Sequence, residues 1–282
     1  MTGWHATLLP ALFVAAIATP VDARAARVVA DHLDIELVSE QLAFVPGTHA
    51  ALGLRLRHAP QWHSYWTNPG DSGLPTRLAW QLPAGWKAGD IEWPAPRRFE
   101  VGGLYNFGHD GEVLLPVSVE VPADARVGGT VTLAVEARWL VCRDECIPGK
   151  ATLDITRPLA RNAAPDAGAT QDFAAARAAR PREVDWRATA RVDGERIAIE
   201  VHGVDFADGA MPDVFAVQRR VLGNAPALLR RAGDVLLIDA PKSDVFDEPP
   251  PTFDLVLTNG RAGAVQVRVR FPMSSAARSP SA

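Results

Sequence analysis

The sequence predicts an all-β protein, a β-sandwich followed by a second β-rich, sandwich-like domain. Short runs alternate apolar and polar residues with a period of two, first between Asp34 and Thr156 and again between Arg196 and Phe271. Proline (23) and glycine (22) punctuate those runs more densely than a helical bundle tolerates. Hydrophobic residues make up 48% of the 282, enough to fill a core and too many for a disordered chain. A net charge of -4 without a long basic run argues against nucleic-acid binding.

Residues 8–18 are apolar apart from Pro10, and small residues at Ala23 and Ala25 follow. This is the pattern of an export signal over residues 1–25, although His5 stands where Lys or Arg is usual. The stretch falls short of the roughly 20 residues of a membrane span. The mature chain is therefore expected to be soluble and extracytoplasmic, in a compartment that permits disulfides.

Residues 26–160 read as the first domain. Residues 51–57 alternate, as do 113–121, where Pro116 predicts an edge strand or a bulge. Residues 130–139 alternate best, with Val131, Leu133, Val135, Ala137 and Trp139 on one face. Residues 161–183 read as a linker holding a short Ala-rich helix over 171–180, stopped before Pro181. Residues 184–273 form the second domain, with strands at 196–201, 234–239, 253–257 and 264–271 and a turn at Asn259-Gly260. Residues 274–282 read as a disordered tail.

The only two cysteines are Cys142 and Cys146, directly after the best strand. If residues 147–155 return as its partner, the pair faces across a hairpin with Arg143, Asp144 and Glu145 at the tip. Facing Cβ atoms there lie about 4.5–5.5 Å apart, close to the roughly 3.5–4.5 Å that a disulfide needs. A clip closing about five residues contributes only about 2 kcal/mol on the chain-entropy argument, against nearly 5 for a loop of about 100. That makes a weak staple, whereas short spacing suits a redox pair in which one sulfur resolves a mixed disulfide formed by the other. Spacing alone leaves structural disulfide, redox pair and Cu(I) thiolate site open. Zinc would want four ligands, and the nearest histidines are His109, His63, His58 and His49. One cation and two anions at the tip do not favour an acidic thiol, so activation is expected from elsewhere.

Other residues carry less. Trp62, His63, Tyr65, Trp66, Trp80, Trp86 and Trp93 form an aromatic belt read first as packing, some of it around the cysteines. Residues 68–73 read first as a turn and second as a support for the cysteine hairpin. His63 reads as a structural histidine before a tuner of a thiol. Asp213, Asp239 and Asp244 show no catalytic or ligand spacing, and no Ser/His/Asp set or phosphate-binding glycine loop stands out.

Three stretches carry a family resemblance: residues 62–75 (WHSYWTNPGDSGLP), 91–101 (IEWPAPRRFEV) and 139–148 (WLVCRDECIP). In order and spacing they resemble the N-terminal periplasmic region of DsbD-type thiol:disulfide interchange proteins, especially the ScsB-like branch. The resemblance is dense over about 32–158 and looser over about 184–272. It implies an immunoglobulin-like fold and a periplasmic protein-disulfide reductase component without a metal or dissociable cofactor. Electrons would come from a membrane-embedded donor protein and pass to periplasmic thioredoxin-fold proteins. Carried over by motif, Cys146 would form the mixed disulfide and Cys142 would resolve it. Residues 99–105 fall where the family has a shielding cap loop, with Phe99, Glu100 and Tyr105 as its candidate residues. The family continues into a membrane domain and a thioredoxin-like domain that these 282 residues lack, so the expectation is a separate donor protein, or a truncated or repurposed relative. The rival expectations are a non-catalytic extracytoplasmic binding or assembly module with a structural disulfide, and a copper-binding stress protein.

Overall fold

The computed structural model describes residues 27–206, 211–259 and 263–272. The expected export signal, the expected tail and Gly260 of the expected turn lie outside the described residues. The first half of the chain supplies eleven strands: β1 (Arg27–Ala30), β2 (Leu33–Ser39), β3 (His49–His58), β4 (His63–Gly70), β5 (Arg77–Gln81), β6 (Lys87–Ile91), β7 (Arg97–Val101), β8 (Leu104–Asp110), β9 (Glu112–Glu120), β10 (Thr130–Cys142) and β11 (Cys146–Pro158). They form two sheets, one ordered β1-β2-β3-β9-β6 and one ordered β11-β10-β4-β8-β7, with β5 beside β10.

The two sheets close on one apolar core. Leu52, Leu54 and Leu56 of β3 and Leu115, Val117 and Val119 of β9 pack with Leu133, Val135, Ala137, Trp139 and Val141 of β10. The alternation expected of β10 is thus its inward face, and each Val or Leu on it contributes about 1.5–3 kcal/mol on burial. Because the period is two, Cys142 leaves the opposite face. Pro116 is not at an edge: it pairs with Gly53 of β3. Its carbonyl accepts from the Glu92 N–H at 2.8 Å, just past the point where the β6–β9 register shifts. The N and O of a residue lie on the same side of an antiparallel strand, so the missing N–H falls at that irregularity and no regular ladder bond is lost.

The stretch after β11 is not a free tether. Leu42 N–H bonds Ala164 O, Asp166 N–H bonds Glu40 O, and Arg157 pairs with Asp166 at 3.0 Å. The helix α1 (Thr170–Ala179) then buries Phe173 and Ala176 against Val38 and Leu114 on the outer face of the first sheet. Beneath it Arg55, nearly buried, holds Glu36, Gly168 O and Asp172. The helix stops where Arg180 turns extended before Pro181. Among the described residues no helix is long and apolar enough to cross a membrane.

The remaining strands are β12 (Arg182–Asp193), β13 (Arg196–His202), β14 (Asp213–Ala216), β15 (Leu228–Ala232), β16 (Val235–Pro241), β17 (Thr252–Thr258) and β18 (Ala264–Arg270). They make one seven-stranded sheet, ordered β14-β17-β18-β12-β13-β16-β15. β12 runs parallel to β18 from Arg182 to Val184 and again at Ala188 and Thr189, with a register shift between, and its other side pairs with β13 from Arg187 to Asp193. Ile197, Ile199, Ile238, Phe253, Leu255 and Val267 share one core.

Candidate functional site at a disulfide hairpin

The ladder of β10 and β11 runs unbroken from Thr130 opposite Pro158 to Cys142 opposite Cys146. A turn held by Arg143 N–H to Glu145 O at 3.0 Å closes it. The last pair is bonded as a disulfide, Cα to Cα 4.2 Å. The two sulfurs are not equivalent in place. Cys142 lies between two strands, with Cys146 on one side and His63 of β4 on the other, and is 2% exposed. Cys146 is on β11, the edge of its sheet, and is exposed.

β4 delivers the neighbours. His63 is in register with Cys142, so Tyr65, two residues on, shares the same face. The Tyr65 hydroxyl donates to Cys142 Sγ at 2.8 Å and lies 3.6 Å from Cys146 Sγ. Gly73 backs the ring: with φ of +89° it presents bare backbone, and a Cβ there would meet Tyr65 Cε1 at 2.2 Å. Burial pushes the Tyr65 phenol up, with the Ser72 hydroxyl pulling the other way, so it stays a donor at neutral pH. The tip cation is engaged otherwise, with Arg143 Nε 2.8 Å from Asp144 and its guanidinium 5.5 Å from the Trp62 ring centroid. Outside the tip, the polar group set against both sulfurs is the Tyr65 hydroxyl, on a residue of the aromatic belt read first as packing and in part as the surroundings of the cysteines. Alternation of His63 and Tyr65 against Ser64 and Trp66 was a readable sign that the first two share a face.

The segment 99–105 is a β-hairpin rather than an irregular loop. β7 and β8 join through Gly102 and Gly103, with φ of +59° and +82°, the left-handed pair that a tight two-residue turn needs. The Phe99 ring stacks on His63 with centroids 4.4 Å apart, and Arg97 lies over it at 5.7 Å. Glu100 pairs with Tyr105 one step along the hairpin, so both leave the opposite face from Phe99. The structure brings Phe99 to the cysteine side and does not bring Glu100 or Tyr105 there. Tyr105 instead gives its N–H to Asp71 Oδ2 at 2.7 Å. Residues 68–73 are part strand and part turn, and Asn68 and Asp71 reach the C-terminal sheet through Ala216 O and Asn224.

Burial sets the charge state of the site. It pushes the His63 imidazole down to about 4, helped by His58 and opposed by Asp110, and His63 Nε2 has no hydrogen-bond partner. His109, stacked near Trp93 on the other face, is likewise pushed down to about 4 by burial. Between pH 6.5 and about 4 the unfolded chain binds protons on these rings that the folded chain refuses. Their contribution to stability is therefore complete above pH 6.5 and is lost as pH falls toward 4. For His109 alone a depression of this size is worth about 3 kcal/mol. Urea midpoints at pH 7, 5.5 and 4.5 are expected to fall in that order; a flat profile would refute the assignment.

The site is thus a small disulfide on a β-sandwich hairpin, with one sulfur open and a hydroxyl donor on the other. Residues 35–158 match the family model described as "Thiol:disulfide interchange protein DsbD, N-terminal". This part of the chain is a DsbD-type N-terminal domain, and its fold is an immunoglobulin-like sandwich. The structure is similar to the N-terminal periplasmic domain of ScsB from Proteus mirabilis, at 18% identity and a TM-score of 0.66, covering 87% of this chain and 96% of that one. The likeness in fold thus extends beyond residues 35–158 into the C-terminal sheet. Domains 5–6 of the S-layer protein SbsC align over 89% of this chain and all of theirs, at 10% identity, but the TM-score of 0.22 carries no argument. Comparison with curated proteins gave no match.

Proposed function

We propose that this protein is a periplasmic thiol–disulfide relay, passing electrons from a membrane-embedded donor protein to thioredoxin-fold acceptors through Cys142 and Cys146, without a dissociable cofactor. The observation that carries the reading is the asymmetry of the pair, an exposed Cys146 and a buried Cys142 that accepts a hydrogen bond from Tyr65. A donor thiolate attacks Cys146 Sγ, the Cys142–Cys146 bond breaks, and Cys142 leaves as a thiolate held by the Tyr65 O–H. The donor's second thiolate attacks its own sulfur in the mixed disulfide and frees Cys146. Two electrons have moved, the donor is oxidised and the pair reduced. Toward an acceptor, Cys146 attacks the acceptor disulfide and expels one acceptor thiolate. Cys142 then attacks Cys146 Sγ, expelling the second acceptor thiolate and re-forming the pair; solvent protonates the products.

Two measurements test this. A redox titration of the pair is expected to fall in the range of periplasmic shuttles, well above the roughly -300 mV typical of structural disulfides. Cys142→Ala is expected to accumulate a mixed disulfide through Cys146 with an oxidised thioredoxin-fold protein, and Cys146→Ala to accumulate none. A potential below that limit, with no complex trapped by Cys142→Ala, would make the bond a structural staple.

A further inference from the structure

Arg98 and Phe99 are adjacent on β7, so they leave opposite faces of the shielding hairpin. Phe99 lies on His63, and Arg98 enters the C-terminal sheet. There its guanidinium gives Nη1 to Asp213 Oδ1 at 2.8 Å, Nη2 to Val214 O at 2.8 Å and Nε to Asn224 O at 3.2 Å. Its Cζ lies 4.9 Å from the Phe215 centroid and 5.4 Å from that of Phe107. Lysine cannot reproduce this grip, because the planar fork and the ring contacts are specific to Arg. Two further ties flank it: Asn68 Nδ2 to Ala216 O at 2.8 Å, and Asn224 Nδ2 to Asp71, whose other oxygen takes the Tyr105 N–H. Trp66 and Phe107, from the strands that carry the redox face, are buried with Phe215, Val256 and Ala264 of the C-terminal sheet.

The hairpin needs such support. β7 is the edge of its sheet and pairs only with β8, through a turn of two glycines. β8 pairs with β4 at Gly108, His109 and Asp110 and again at Asn106, with a register shift between, and the outer side of β7 has no strand beside it among the described residues. We propose that the C-terminal β unit is a clamp on the redox site: by gripping Arg98 it fixes the hairpin so that Phe99 stays on His63, keeps the Cys142 side dry and confines attack to Cys146. The clamp rests on the exchange reading of the pair, but it can be measured without any partner protein.

The experiment labels the reduced protein with limiting iodoacetamide and maps the alkylated cysteine by mass spectrometry. NMR titration of the His63 ring runs in parallel. In the unaltered protein the label is expected on Cys146. Arg98→Ala is expected to raise the fraction on Cys142 about fivefold or more. The same variant is expected to move the His63 titration up from about 4 by about one pH unit or more, as water reaches the ring. Phe99→Ala should do the same, Arg98→Ala/Phe99→Ala no more than either alone, and Arg98→Lys should fall between. If Arg98→Ala does not fold, Asp213→Ala/Asn224→Ala loosens the grip from the C-terminal side. Lower thermal stability with an unchanged label ratio and His63 titration would make the contact structural only. Effects of Arg98 and Phe99 that add in the double variant would equally overturn the clamp. Failure to trap an acceptor with Cys142→Ala would refute the relay and leave these readouts standing.

Discussion

Tyr65→Phe is expected to slow reduction of the disulfide by dithiothreitol about tenfold or more, and to raise the Cys142 thiol pKa by about one unit or more. A hydrogen bond to a charged group is worth about 1.5–3 kcal/mol, and one pKa unit is 1.36 kcal/mol. The Tyr65 hydroxyl lies 2.8 Å from Cys142 Sγ, the sulfur that leaves as an anion when Cys146 is attacked. Phenylalanine keeps the ring against Gly73 and beside His63, so the change removes the O–H and little else. Stopped-flow reduction gives the rate, and thiolate absorbance of the reduced protein against pH gives the thiol titration. An unchanged rate in a folded variant would mean that the hydroxyl is a spectator and that Cys142 is stabilised in another way.

Gly108→Ala is expected to destabilise the protein by about 3 kcal/mol or more, the overpacking range and its upper tail. A Cβ at this position would stand 1.8 Å from Ser64 O and 3.1 Å from Tyr65 Cα. Both are backbone atoms of β4, which cannot rotate aside, so β4 and β8 must part. That displaces the strand holding both His63 and Tyr65 against the cysteines. Gly102→Ala is the control: its Cβ meets nothing within 4 Å, and only the left-handed φ of +59° opposes it. The expected loss there is about 1 kcal/mol. Equal urea midpoints for the two variants would refute the steric argument.

Local features of this fold were legible in the sequence. Alternation over 130–139 named the inward face of β10, and the same parity puts Cys142 on the outer face. The Ala-rich run before Pro181 marked α1 to within a residue. That the two cysteines face across a hairpin was readable from spacing; their unequal roles were carried over by resemblance, and which of them is buried was not readable. Which cysteine is buried depends on β4 lying beside β10, and Tyr65 and Cys142 are 77 residues apart. Strand order is a long-range choice that composition and period do not encode. The same limit hid Arg98, which reads as an ordinary charged strand residue until Asp213 and Phe215 are placed opposite it. Glu100 and Tyr105 show the converse. A segment carried over as a loop gave no parity, and once it is a hairpin, alternation sends them to the reverse face.

The order of strands in the C-terminal sheet bears on how the molecule assembles. β18, the last strand among the described residues, sits inside the sheet, between β17 and β12, and β12 is the first strand of that sheet. The sheet is complete only when a late segment inserts beside an early one, which is a non-local and intrinsically slow step. Asn68 meets Ala216 across 148 residues, so the junction of the two halves has still higher contact order. The disulfide, spanning four positions in sequence, shortens none of these searches. The pairing of β18 with β12 is therefore a non-local closure of the slow kind, whereas the cysteine hairpin closes within its own neighbourhood.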